Sequence, residues 1–167
     1  MILAVDVHYV GSVGHCAGVG FEDWASKKPT EEFLHNYQNP MDYVPGEFFK
    51  RELPCILALQ EKYSLNPSVM IVDGYVSLGG QQNPGLGKYL HDAMGKNIPV
   101  IGVAKSAFPN TPADWRVFRG KSAKPLYVTA IGLPISQAKQ YISQMHGPFR
   151  IPTLLKRVDY LARSAVT

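Results

Sequence analysis

The chain has 167 residues, of which 46% are hydrophobic and 18% charged, with a formal net charge of +4. Those figures suit one globular domain and exclude a disordered or low-complexity polymer. No apolar run reaches the roughly 18–20 residues that span a bilayer, and two cysteines, Cys16 and Cys55, are too few for a disulfide framework and lack metal-site spacing.

The first segment, MILAVDVHYV, is apolar and β-prone. It has no basic stretch before it, and Asp6 interrupts what would be the core of a leader peptide, so it reads as a first strand of a cytoplasmic protein. Gly11-Ser12 is a tight turn into a second strand within Ser12–Trp24, weakened by its glycines. Residues 30–38 read as a third strand or a short helix; a strand is preferred because it completes a three-stranded antiparallel opening. Next comes YVPGEFFKREL, Tyr43 to Leu53, where Pro45 fixes φ and Gly46 permits a turn closed to other residues. Residues 46–63 carry Phe48, Phe49, Leu53, Ile56, Leu57 and Leu59 at near-helical period, with a kink or two abutting helices expected at Pro54. Cys16 and Cys55 read as small buried hydrophobes.

After an Asn66-Pro67 turn, SVMIVDGY is a continuous apolar run ending in an acid, as in a buried strand. A glycine-rich loop over 79–87 precedes a helix over 84–95; the loop has neither the phosphate-loop nor the dinucleotide fingerprint. IPVIGVAKS is a second buried strand ending in Lys105. Residues 106–124 are loop-like, KPLYVTAIG is another strand, and helices over 134–146 and 152–165 close the chain. No internal repeat or long linker divides it, which makes residues 1–167 a single domain.

Strands first, then helix and strand in alternation, predict an α/β fold: a mixed sheet with helices on both faces. Sites in such sheets lie at the carboxyl ends of strands. If the strands holding Asp6, Asp73 and Lys105 are neighbours, these residues converge on one edge, with Glu52 on the preceding helix. Clustered carboxylates repel unless a hard cation neutralises them. Such a centre suits metal-assisted phosphodiester hydrolysis, in which a lysine holds the phosphate as a point charge. Plainer readings exist for each residue. Asp73 could be a helix cap or turn residue, Glu52 and Asp159 solvated helix acids, and Lys105 a strand-end lysine reaching water. Asp6 is the hardest to explain away, because an acid inside an apolar strand needs a partner or an ion. His8, two residues on, faces the same side of the strand, as an added site residue or a core histidine. Basic residues crowd the final third, namely Lys105, Arg116, Arg119, Lys121, Lys124, Lys139, Arg150, Lys156, Arg157 and Arg163, opposed there only by Asp114 and Asp159. They predict contacts to nucleic-acid phosphates and a salt-sensitive affinity.

At these residues the sequence resembles the endonuclease V family. AVDVHY is similar to its first-strand segment, DYVPGEFFKREL to its Tyr-Ile-Pro-Gly turn and following Phe-Arg-Glu, MIVDGY to its Val-Asp-Gly strand end, and IPVIGVAKS to its Ile-Pro-Thr-Ile-Gly-Val-Ala-Lys-Ser. KPLYVTAIG and FRIPTLLKRVD resemble two later segments. The resemblance implies an RNase H-like fold with a mixed five-stranded sheet flanked by helices. It implies a Mg²⁺-dependent endonuclease, with Mn²⁺ as the alternative ion, that cuts DNA or RNA near inosine or deoxyinosine. Asp6, Asp73, Glu52 and Asp159 would hold the metal, with Lys105 completing the catalytic set. Tyr43 would be a wedge aromatic that replaces a displaced base, on a turn made by Pro45 and Gly46, with Gly74 also on the substrate side.

The chain departs from the family in three places. Asn83-Pro84 stands where a His-Pro is usual, Leu133 stands where a His is expected, and the chain begins directly at strand one without the upstream helical segment many members carry. These changes touch recognition more than the carboxylates. They leave open a metal-dependent nuclease with another nucleic-acid substrate, and a nucleic-acid-binding protein that has lost catalysis. A third, purely protein-binding reading would show no salt-dependent affinity for oligonucleotides. No membrane partner is expected; the oligomeric state is left open, with a monomer fitting the sequence.

Overall fold

A computed structural model of the chain describes residues 1–38, 42, 44, 47–80 and 83–164. The first strand, β1 (Ile2–Val10), turns back through Gly11 into β2 (Val13–Phe21), with Val10 opposite Val13. Gly11 sits at φ 59°, where a side chain would be strained. β3 (Glu31–Gln38) pairs antiparallel with β2, as preferred from the sequence. Helix α1 (Phe48–Tyr63) follows, then β4 (Val69–Asp73), which runs parallel to β1 with Val5 opposite Val72.

Two short strands, β5 (Ser77–Leu78) and β6 (Asn83–Pro84), pair with each other inside the glycine-rich region. Helix α2 (Leu86–Ala93) leads to β7 (Val100–Ala104), parallel to β4 with Asp73 opposite Val103. Residues 106–124 are not wholly irregular. They contain a 3₁₀ turn at Ala113–Trp115 and a two-residue strand, β8 (Arg116–Val117). β9 (Leu126–Ile131) pairs antiparallel with both β7 and β8, and helices α3 (Ile135–Gln144) and α4 (Thr153–Ser164) complete the fold.

The main sheet has seven strands in the order β3-β2-β1-β4-β7-β9-β8, two more than expected. KPLYVTAIG forms the strand read from its sequence, and β8 is too short to carry a period. Alternation along the central strands buries both faces. Leu3, Val5, Met70 and Val72 meet Cys55, Ile56 and Leu59 of α1. Ile2, Ala4, Ile71 and Ile101 meet Leu154, Val158 and Leu161 of α4 and Ile142 of α3. Each fully buried Leu or Ile in these layers contributes about 1.5–3 kcal/mol. Cys16 and Cys55 are buried and unbonded to each other, as small apolar side chains.

α1 is one continuous helix through Pro54, not two abutting helices. Proline in the second turn removes only the donor that the Lys50 carbonyl would have used, and burial of Cys55, Ile56 and Leu59 just beyond it outweighs that loss.

The late basic residues are not a uniform anion-binding surface. Arg119 is buried and donates to the carbonyls of Ile142 (2.9 Å), Met145 (3.1 Å), Gly147 (2.9 Å) and Phe149 (3.4 Å). It thereby satisfies carbonyls that α3 leaves open at its C-terminus. Arg157 clasps Glu32 at 2.6 and 2.9 Å, Arg150 donates to the carbonyls of Pro125 and Lys105, and Lys139 donates to the Asp114 carbonyl. Arg116, Lys121, Lys124 and Lys156 remain exposed without ion pairs among the described residues. Among the described residues, no helix is long and apolar enough to cross a membrane.

Candidate metal and phosphate site

The parallel register brings Asp6 and Asp73 together. Val5 lies opposite Val72, so the next residues, Asp6 within β1 and Asp73 at the end of β4, are neighbours where the parallel pairing stops. Lys105 follows β7 two positions beyond Val103, the partner of Asp73. Alternation gives all three the parity of Ile71 and Ile101, on the sheet face covered by α4. α4 presents Asp159 there, and Asp6, Asp73, Lys105 and Asp159 line one pocket floored by Val5, Val72 and Val103. Glu52 arrives from the opposite face on α1, and lines a small adjoining cleft with Asp6 and Asp73.

The electrostatics of this group follow from crowding of like charges out of water. The Asp6 carboxyl is pushed up to about 8, first by burial, then by the charge of Asp73 and by a side-chain hydrogen bond with Asp159. Its Oδ1 also accepts from the Val7 amide at 2.9 Å, which pulls weakly the other way. Glu52, 6% exposed, is raised to about 8 by burial and then by Asp6 and Asp73. Asp73 is raised by burial, offset by the Lys105 ammonium, 4.0 Å from its Oδ2. Asp159 is held down. Burial opposes this, but hydrogen bonds with Asp6 and with Arg163, whose Nε lies 3.0 Å from Oδ1, prevail. Asp6 and Glu52 are thus held toward their neutral forms, while Asp159, hydrogen-bonded to Asp6, is held toward its ionised one.

The donor set fits a hard divalent cation: it offers carboxylate oxygens and no thiolate or imidazole. A cation would offset both the burial and the like-charge repulsion that raise Asp6 and Glu52. Among the described residues no three His, Cys, Asp or Glu side chains are already drawn into a ligating group, so the carboxylates must turn inward to grip an ion.

Of the residues singled out from the sequence, the structure brings Asp6, Glu52, Asp73, Lys105 and Asp159 together. Gly74 directly follows Asp73 and lines a separate pocket with Phe49, Tyr75, Phe108 and Gly85. Tyr43, Pro45 and Gly46 lie outside the described residues. His8 is half-buried in the hairpin opposite His15 and lines neither cleft at Asp6. Sequence reasoning missed the pairing role of Arg163 and the aromatic pocket. The i,i+4 spacing of Asp159 and Arg163 on a helix was the available signal for the first. The second had only a Tyr after Val-Asp-Gly and a Phe after the Pro-Gly turn.

Two glycines make this arrangement possible. Gly74 has φ 119°, which turns the chain sharply after Asp73. A Cβ on Gly102 would lie 2.6 Å from the Gly74 carbonyl oxygen and 2.8 Å from the Val76 amide nitrogen. The bare backbone of β7 therefore lets residues 74–76 cross it, and the Thr129 hydroxyl accepts the Val76 amide at 2.9 Å.

A seven-stranded mixed sheet with helices on both faces, opening with an antiparallel β-meander and carrying acids side by side on adjacent parallel strands, defines an RNase H-like α/β protein. The endonuclease V family profile matches residues 1–146, and the chain belongs to that family. It is 31% identical to the endonuclease V of Rhodospirillum centenum over 147 residues, covering 75% of this chain and 60% of that protein. It is 30% identical to that of Streptomyces coelicolor over 146 residues, 74% of this chain and 60% of the relative. The chain therefore spans about 60% of the length of these relatives.

The crystal structure of endonuclease V from Streptomyces avermitilis superposes with a TM-score of 0.78 at 25% identity, covering 99% of this chain and 80% of that one. The Ciona intestinalis endonuclease V, solved with a 24mer DNA containing an inosine followed by a ribo-adenosine, shares the fold with a TM-score of 0.81 at 18% identity, over 99% of this chain and 85% of that one. Asp159 lies beyond the residues that the family profile matches.

Proposed function

We propose that the chain is a divalent-metal-dependent endonuclease that hydrolyses a phosphodiester bond beside deaminated adenine in DNA or RNA. The observation that carries this reading is the convergence of Asp6, Glu52, Asp73 and Asp159 with Lys105 at the carboxyl edge of parallel strands. Like charges so crowded are costly unless a cation is their normal partner.

In this reading Asp6 and Asp73 are the principal ligands of Mg²⁺ or Mn²⁺, with Glu52 and Asp159 closing the shell from α1 and α4. The bound ion supplies a lowered pKa for water and charge neutralisation at the leaving oxygen. Lys105 holds the scissile phosphate by its ammonium, while its 4.0 Å approach to Asp73 keeps that ammonium aimed into the site. Glu52, carried on a helix anchored by Cys55, Ile56 and Leu59, orients the attacking water through a carboxylate oxygen. Arg163 fixes the rotamer of Asp159. The pocket of Phe49, Tyr75 and Phe108 beside Gly74 suits the flat face of an extruded base. Tyr43, on the Pro45-Gly46 turn, would stack in the gap that the base leaves.

The family membership and the relative solved with inosine-containing DNA support the substrate; the absence of the usual histidines at Asn83 and Leu133 is what makes it worth testing. Matched oligonucleotides with and without one central inosine, as DNA and as RNA, are incubated under Mg²⁺ and under EDTA. Cutting only beside inosine and only with Mg²⁺ is expected. Equal cutting of plain strands would discard the substrate and keep the chemistry, and binding without cutting would identify a binding protein that has lost catalysis.

A further inference from the structure

A second groove adjoins the carboxylate pocket. It runs between α4 and the segment before it, and its walls are Phe149, Lys156, Arg157 and Tyr160, with Ile151 lining both the groove and the pocket. Phe149 is 70% exposed and Tyr160 59% exposed. On α4, at about 100° per residue, Asp159, Arg163, Lys156 and Tyr160 follow one another round a single arc, so the helix face that offers Asp159 to the site continues into the groove.

The backbone that presents Phe149 is held, and Tyr160 has a cation on one face. Arg119 donates to the carbonyls on either side of the turn that presents Phe149. Gly120 packs so closely under Pro148 that a Cβ would lie 2.2 Å from its carbonyl oxygen. The segment is also pinned to the start of α4, where the Thr153 amide donates to the His146 carbonyl at 2.8 Å and the His146 ring meets the Thr153 hydroxyl at 2.9 Å. Tyr160 lies under the Arg157 guanidinium, 5.5 Å from the ring centroid, and Arg157 is itself clasped by Glu32. Two exposed aromatic rings and Lys156, which has no ion partner among the described residues, line one groove and offer a stacking platform for bases beside a charge for phosphate.

We infer that this groove holds an unpaired nucleic-acid strand flanking the reacting phosphate, with Phe149 and Tyr160 stacking against bases and Lys156 meeting the backbone. The partner class rests on the nuclease reading above. An unpaired strand is specified because only unpaired bases offer a face to a side chain.

The test is fluorescence anisotropy in EDTA, with a fluorescein-labelled single-stranded deoxyoligonucleotide of mixed sequence and no inosine, and a blunt duplex of the same sequence. Neither metal nor cleavage is needed, so an inactive enzyme leaves the result standing. Phe149→Ala and Tyr160→Ala should each weaken single-strand binding by about 5- to 100-fold, whereas Tyr160→Phe should bind like the parent. Lys156→Ala should lower the salt dependence by about one phosphate contact. Duplex affinity should be unchanged throughout, with melting temperatures confirming the fold. Parent-like single-strand affinity in the Phe149→Ala/Tyr160→Ala double variant would overturn the inference. So would an equal loss on duplex, or a shift of oligomeric state by light scattering at unchanged strand affinity.

Discussion

Asp6 is an acid inside an apolar stretch of β1, with Ala4 and Val5 buried before it, where an ionised carboxylate needs a partner or a cation. Replacing it or Asp73 by Asn keeps the shape and removes the charge. Each variant is expected to retain below about 1% of the parent cleavage rate, a loss of roughly 2.7 kcal/mol or more in transition-state stabilisation, read from initial rates on an inosine strand. Lys105→Ala should lower kcat/KM by about 100-fold while leaving metal affinity nearly intact, as for removal of one preorganised group facing developing charge. The carboxylates also set a pH dependence. Asp6 and Glu52 have folded values raised to about 8 from ordinary values of 3.8 and 4.5. A raised carboxyl value means that its contribution to stability is fully present below the unfolded value and is lost as pH rises through the folded one. Thermal melts in EDTA should therefore fall steadily between about pH 4 and pH 8. Mg²⁺ should restore more stability at pH 8 than at pH 5, and a flat EDTA profile would contradict this account of the site.

At the scale of elements, the strand ends that hold Asp73 and precede Lys105 were legible because buried parallel strands announce themselves as apolar runs ending abruptly. MIVDG and IPVIGVAKS became β4 and β7 within a residue or two. The three-stranded opening was legible for another reason: Gly11 marks the hairpin turn, and a strand over 30–38 completes an antiparallel set. β8 was not, since two residues carry no period, and its place at the sheet edge is set by pairing with β9. The continuity of α1 was not legible either. Whether a proline ends a helix depends on the packing beyond it, which only the fold supplies. The arginines misled most: Arg119 counted as a surface cation in the sequence, yet it closes the C-terminus of α3 from inside. Arg119→Met should therefore destabilise the protein by roughly 2–3 kcal/mol, seen as a melting-temperature drop of about 5–10 °C. A surface phosphate contact would instead cost affinity and leave the melt unchanged. Gly102→Ala should also be costly, by roughly 1–3 kcal/mol from overpacking, because its Cβ meets the backbone that follows Asp73. Its cleavage rate should fall further than its melt alone explains.

At the scale of the whole molecule, two sheet faces are covered by helices that each contribute one acid to a shared edge: α1 gives Glu52 and α4 gives Asp159. The sheet supplies Asp6, Asp73 and Lys105, so the site assembles only when both layers are docked. The sequence could place the five residues on their elements, but the meeting of the two layers is a property of the tertiary fold. The measurement that tests the central claim most directly is a Mg²⁺ titration of cleavage on an inosine-containing strand, run in parallel on the parent and on a folded Asp6→Asn variant. The account predicts saturable, EDTA-reversible cutting by the parent and essentially none by the variant at any Mg²⁺ concentration. Cutting by Asp6→Asn at the parent's rate, or by the parent in EDTA, would contradict it.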